Sequence, residues 1–209
     1  MLYLASGSPR RAELLKQIGV CFRPLSPPEI DETPQLHEQP QAYVIRMASE
    51  KADSGFAALD GTYQDSTHKD RAWVLGADTA VIHQGSILGK PVDSKDATRM
   101  LERLSGSTHE VLSAVVLQSQ TQRQQALSRT EVTFRPLSAQ EIADYVATGE
   151  PMDKAGAYGI QGFGALLVAQ ITGSYSGVVG LPLTETAGLL SVAGIPFWQH
   201  QVTIDEEPS

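Results

Sequence analysis

The sequence predicts an α/β fold of mixed (α+β) type: a central mixed, twisted sheet with helices flanking it. Three observations lead there. Apolar runs of strand length alternate with longer segments of helical period. The alternation lacks strict strand–helix–strand repetition, so parallel and antiparallel pairs should share one sheet. Helix-start and turn signals fall between the runs, at Ser8-Pro9, Gly19, Pro40, Gln84-Gly85, Gly106 and Ser138.

Taken in order, Leu2, Tyr3, Leu4 and Ala5 form a short first strand. The hexapeptide Ser6-Gly7-Ser8-Pro9-Arg10-Arg11 follows as a tight turn opening a helix, whose apolar run extends from Ala12 to Ile18. Ser8 suits the cap, and Pro9 suits the first helical position, where a missing N–H is harmless. Gly19 ends this helix, and residues 20–25 read as a second strand. Ser26-Pro27-Pro28 leads into an acidic loop at 29–32. Pro40 opens a long helix to about residue 59, with Val44, Met47 and Ala48 on one apolar face. Residues 60–71 are polar, without apolar period, and read as a surface loop. Residues 73–82 read as a strand that turns through Gln84-Gly85 into a second at 86–88. Asp93 or Ser94 caps a helix ending at Gly106. Strands at 109–118 and 127–134 follow, joined by a Gln-rich turn. Ser138 and Glu141 form a capping box for a helix ending near Gly149. A strand at 166–171 and a helix from 182 to about 192 complete the set. The acidic tail, Asp205-Glu206-Glu207, reads as solvated.

The chain has 209 residues, enough for a substantial core, and is expected to form one domain over 1–209. Its net charge of −8 argues against broad attraction to nucleic acid or to an anionic membrane. A polyphosphate ligand would therefore need a local basic cluster. The single cysteine, Cys21, cannot form an internal disulfide, which fits a reducing compartment, and it reads as a small buried side chain. No basic-then-apolar leader stands at the N-terminus and no segment reaches membrane-span length, so the cytoplasm is the expected location.

Arg10 and Arg11 are the odd part of the first turn. Cations there face the positive end of the helix dipole, at a few tenths of a kcal/mol each. An anion bound at that end reverses the sign, because free N–H groups and guanidinium forks then share one ligand. The segment reads as a phosphate site. In Gly76-Ala77-Asp78-Thr79 a carboxylate interrupts an apolar run. Asp78 is either a strand-end acid paired with backbone N–H groups, or a metal ligand or general base. Lys90, between Gly89 and Pro91, and Lys51, on the long helix, are each ordinary surface cations when read alone. Glu29, Asp31 and Glu32 offer oxygens of the kind Mg²⁺ accepts, although acidic runs are usually solvated. The segment Asp153-Lys154-Ala155-Gly156-Ala157-Tyr158-Gly159-Ile160-Gln161-Gly162 is small enough for backbone to approach a ligand, with Gln161 able to donate and accept. The five histidines have no zinc spacing, and neither a P-loop nor a Gly-x-Ser-x-Gly elbow is present.

Together SGSPRR, the IDE loop, SEKA, GADT, GKP, LSG and AGAYGIQG with VVGLP resemble, in order and over about residues 5–182, the Maf-like family of nucleoside triphosphate pyrophosphatases. The resemblance implies a fold similar to the inosine triphosphate pyrophosphatases, with two lobes around a cleft. It also implies cleavage between the α- and β-phosphates of a nucleotide with a divalent metal, Mg²⁺ or Mn²⁺. By motif, Asp78 is the proton acceptor, while Arg10, Thr79 and Gln161 occupy the positions that set base preference. Arg10 together with YGIQG resembles the branch that cleaves dTTP and UTP. Another branch carries a bulky aromatic and a Ser-Glu-Gly pattern at these places. Ser8, Arg11, Glu32, Lys51 and Lys90 fall on the remaining polar positions. On that basis Ser8, Arg11, Lys51 and Lys90 are expected to bind phosphate, and Glu32 with Asp78 to hold the metal. Whether Asp78 is base, ligand or both is left open. The stretch at about 60–72 stands out as an insertion. The expected partner is the nucleotide substrate, with neither nucleic acid nor membrane, and a homodimer is one option for assembly. Two alternatives stand beside this reading: a non-catalytic nucleotide-binding regulator of septum formation, and a purine or inosine triphosphate pyrophosphatase.

Overall fold

In the computed structural model, which describes residues 1–26, 30–62 and 72–199, strand β1 (Leu2–Ala5) is buried at every position. A strand with no polar side belongs inside a sheet covered on both faces. β1 accordingly pairs in parallel with β2 (Phe22–Leu25) on one edge and with β3 (Trp73–His83) on the other. Helix α1 (Pro9–Gln17) connects β1 to β2. β3 turns back antiparallel into β4 (Ser86–Leu88) and pairs antiparallel along residues 74–82 with β5 (Thr108–Gln118). β6 (Arg123–Phe134) and β7 (Val168–Thr172) continue antiparallel. Among the described residues the sheet has seven strands, in the order β2-β1-β3-β5-β6-β7, with β4 beside β3. The mixed character expected from the sequence is present.

One face is covered by α2 (Pro40–Thr62), whose Val44, Met47, Ala48 and Ala52 pack on Ala80, Ile82, Leu112 and Ala114. The approach is closest at Gly76, where a Cβ would run into the carbonyl oxygen of Ala48. On the other face, α1, α5 (Tyr175–Val179) and α6 (Leu183–Val192) cover Leu75, Ala77, Val115 and Leu117. Farther along the same face, α3 (Ser94–Leu104) and α4 (Ala139–Ala147) cover Val81, Val111, Val132 and Phe134. Between these two apolar clusters lies a polar seam. Cross-strand partners Thr79 and Ser113 sit with their hydroxyl oxygens 2.9 Å apart, and Ser113 donates to the Gly177 carbonyl at 2.6 Å.

Several boundaries differ from expectation. α1 starts at Pro9, and Ser8 has the extended backbone of a cap residue, but its side chain makes no capping hydrogen bond. The Ser138–Glu141 capping box is formed in full. β2 starts at Phe22 rather than Val20. α2 runs on through Thr62, so the polar stretch begins as helix, while 63–71 lie outside the described residues. β6 begins at Arg123: Gln124 and Gln125 belong to the ladder, and the turn is confined to residues 119–122, closed by Ser119 N–H donating to Gln122 O at 2.8 Å. Leu166 and Leu167 belong to a 3₁₀ turn (Gly162–Leu167) preceding β7. α5 has no apolar period long enough to be read, and was missed. Cys21 is exposed rather than buried, with its Sγ 3.6 Å from Gln199 Oε1. Glu29 and the acidic tail lie outside the described residues.

Candidate active site

Asp78 sits in a gap in the sheet. β1 pairs with β3 only as far as Leu75, and β4 begins pairing at Val81. Among the described residues no strand pairs with that edge over 76–80. The gap opens at the C-terminal end of parallel strand β1, where α/β sheets commonly bind ligands. The chain leaves β1 there through Ser6, Gly7 and Ser8 into the N-terminus of α1. Lys90 stands on the opposite side, two residues past Leu88, the partner of Val81.

Side-chain alternation directs Asp78 toward α2. Its Oδ1 accepts from Lys51 Nζ at 2.6 Å, and the same ammonium lies 2.7 Å from Glu32 Oε1. Glu32 is brought there by α2 itself. Tyr43 Oη donates to the Glu32 carbonyl at 2.9 Å, and Arg46 donates to the Thr33 carbonyl at 3.1 Å. Arg11 joins from α1, donating through Nε to the Gly180 carbonyl at 2.8 Å and through Nη1 to Ser6 Oγ at 3.1 Å. Burial pushes the Asp78 carboxyl above its ordinary range, and the charges of Lys51 and Arg11 pull it only partly back. Burial acts the same way on Glu32, but there Lys51, Lys90 and Arg11 prevail and hold it below its ordinary value. The Arg11 guanidinium is lowered by burial, opposed by Asp78 and Glu32. Glu32, Lys51, Asp78, Arg11 and Lys90 thus act on one another as a single cluster, although they come from five separate stretches of chain.

The other expected residues lie around it. Ser8, with no cap bond of its own, stands at the α1 N-terminus. Arg10 points toward Asp153, at 3.6 Å. Gln161 is exposed at the start of the Gly162–Leu167 turn. Thr79 faces the opposite side of the sheet from Asp78. Its Oγ1 lies 3.4 Å from the Gly180 carbonyl that also receives Arg11. Thr79 and Asp78 therefore flank the gap from its two faces. The glycines of 156–164 serve the protein's own packing: a Cβ on Gly156 would meet Val81, and one on Gly162 would meet the Glu150 carboxylate. Sequence reasoning missed Ser113, Gly180 and Glu150. Ser113 is a buried hydroxyl interrupting the apolar run 111–117, a signal that was available. The other two act through a backbone carbonyl and on backbone amides, which leave no side-chain pattern.

Residues 1–193 match the family described as Maf-like protein. The chain belongs to the Maf-like family. Proteins named dTTP/UTP pyrophosphatase are similar to this Maf-like chain along most of their lengths. The one from Alcanivorax borkumensis is 53% identical over 199 residues, which is 95% of this chain and 98% of that protein. That from Aromatoleum aromaticum is 50% identical over 203 residues, 93% of this chain and 96% of its own. That from Salmonella typhimurium is 53% identical over 190 residues, 91% of each.

Proposed function

We propose that this chain is a nucleoside triphosphate pyrophosphatase that hydrolyses dTTP and UTP to the monophosphate and pyrophosphate. The observation that carries the reading is the gap beside β1. It sets a buried, raised carboxylate beside Lys51 and Arg11, at a helix N-terminus whose Ser8 makes no side-chain capping bond. The names of the relatives support the substrate pair. In this reading Asp78 takes a proton from the water that attacks the phosphoanhydride, a role for which a raised carboxyl suits it. Arg11, Lys51, Lys90 and the Ser8 end of α1 hold the triphosphate oxygens. Arg10, Thr79 and Gln161 set base preference; Arg10 and Gln161 can hydrogen-bond the carbonyl and imide edge of uracil or thymine.

A divalent ion, Mg²⁺ or Mn²⁺, fits this donor set. Among the described residues no group of three or more His, Cys, Asp or Glu could hold one. Asp78 and Glu32, however, converge on Lys51, and two carboxylates completed by substrate phosphates and water are an ordinary Mg²⁺ arrangement. When bound, the ion would neutralise charge developing on the leaving pyrophosphate. No described helix is long and apolar enough to cross a membrane, and the free, exposed thiol of Cys21 favours a reducing cytoplasm. The deciding experiment is pyrophosphate release across a panel of triphosphates with Mg²⁺ or Mn²⁺. Turnover is expected on dTTP and UTP. Turnover confined to purine nucleotides, or binding without hydrolysis, would overturn the reading.

A further inference from the structure

Glu150 follows Gly149, which takes the left-handed backbone (φ 75°) that turns the chain out of α4. Its carboxylate is then wrapped by backbone from the segment that carries Gln161. Phe163 N–H donates to Oε2 at 3.0 Å and Gly164 N–H to Oε1 at 2.9 Å. Tyr145 Oη donates to Oε1 at 3.0 Å and accepts the Gly159 N–H at 3.2 Å. Gln161 is thus bracketed: the amide two residues before it and the amides two and three residues after it all run to the Glu150–Tyr145 pair. The loop is shaped for this. A Cβ at Gly162 would lie 2.5 Å from Glu150 Oε2, and one at Gly164 would meet the Gly159 carbonyl and Tyr145 Oη. Burial opposes the ionised form of Glu150, but the two amides and the phenol outweigh it and keep the carboxyl below its ordinary range. The same turn reaches Arg10. Lys154 Nζ donates to the Glu150 carbonyl at 2.6 Å and to Asp153 at 2.5 Å, and Asp153 faces Arg10.

We infer that Glu150 is a positioning residue for nucleobase discrimination: it fixes the loop that carries Gln161, and its turn orients Arg10. The inference rests on the base-selecting roles proposed above for those two residues. A glutamine at 150 keeps the shape but offers one acceptor oxygen, and its NH₂ would confront a backbone N–H, so at least one of the loop bonds is lost.

The test uses Glu150→Gln and Tyr145→Phe with two readouts. Hydrogen exchange at Phe163 and Gly164 should accelerate on the order of tenfold for the loss of one charge-assisted bond, with β5 unchanged. The ratio of kcat/KM for dTTP to that for CTP or GTP should fall about as much. A fraction of unfolded enzyme lowers every kcat/KM alike and leaves that ratio untouched. Unchanged exchange in the loop overturns the clamp. An unchanged ratio in Glu150→Gln, alongside a lowered one in Gln161→Ala, overturns its link to selectivity; the converse overturns the route through Gln161. Should Glu150→Gln fail to fold, Tyr145→Phe, which deletes the hydroxyl that accepts the Gly159 N–H, carries both readouts, with exchange followed at Gly159. Absence of wild-type turnover on dTTP and UTP would sink the proposed function separately, and the exchange readout would then decide the clamp alone.

Discussion

Asp78 is where the surroundings disagree most. Burial drives its carboxyl up, Lys51 and Arg11 draw it down, and burial prevails. Removing one opposing cation should therefore carry it further. In Lys51→Met the acid limb of the kcat/KM–pH profile is expected to move to higher pH, because the ammonium that favours the charged form is gone. An unmoved limb would mean that the profile reports some other group. Asp78→Asn should lower kcat by roughly 10²–10⁴-fold, the usual range for a general base, with the circular-dichroism spectrum and folding unchanged; substantial residual turnover would remove Asp78 from the role. Asp78 was legible in the sequence because a carboxylate interrupting Val74, Leu75 and Ala77 demands an explanation. Lys51 and Lys90 were not legible alone, since an isolated cation looks the same on any solvated turn or helix. What unites them is a distance across β3, and spacing along the chain does not encode it. Glu150 was invisible for a different reason, its partners being backbone amides.

At the scale of elements, the local signals were the readable ones. The Gln84-Gly85 hairpin, the Ser138–Glu141 box and the apolar face of α2 all depend on neighbours within a few residues. The strand order, the 3₁₀ turns after α4 and the short α5 depend on what lies across the sheet. The contact of α2 with β3 is the clearest non-local dependence. Gly76 leaves no room between strand and helix, so Gly76→Val should push them apart. We expect a loss of at least about 1–3 kcal/mol, the usual penalty for overpacking a filled interface, read as a lower urea midpoint at constant slope. A midpoint within error of wild type would mean that the interface relaxes freely. Because α2 also carries Lys51 and Tyr43, the same change should weaken turnover without touching a charged group.

For the whole molecule, one buried ring makes a separable contribution to the response to acid. His109 is 3% exposed, packs edge-on against Phe134 and Tyr158, and has Nε2 2.8 Å from Tyr158 Oη. Burial, aided by His83, pulls its pKa down to about 4, against about 6.5 in an unfolded chain. Between those values the unfolded state binds the extra proton, so stability rises with pH through the window and is lost as pH falls. His83 is shifted in the same direction, whereas the raised Asp78 acts in the opposite sense. The difference between two proteins therefore isolates the ring. From pH 7 to pH 5 the wild type should lose about 2 kcal/mol more than His109→Leu, measured by urea unfolding. Equal losses would mean that the ring is not the proton sink. The opening beside Asp78 carries a consequence of another kind. Its limits are set by where β1 stops and where β4 starts, both matters of backbone length. Point substitutions in those strands leave the aperture in place, whereas lengthening β1 past Ala5 or β4 past Leu88 would narrow it in an otherwise intact sheet. Evolution of this site should therefore be permissive toward side-chain exchange in β1 and β4 and intolerant of insertions and deletions there.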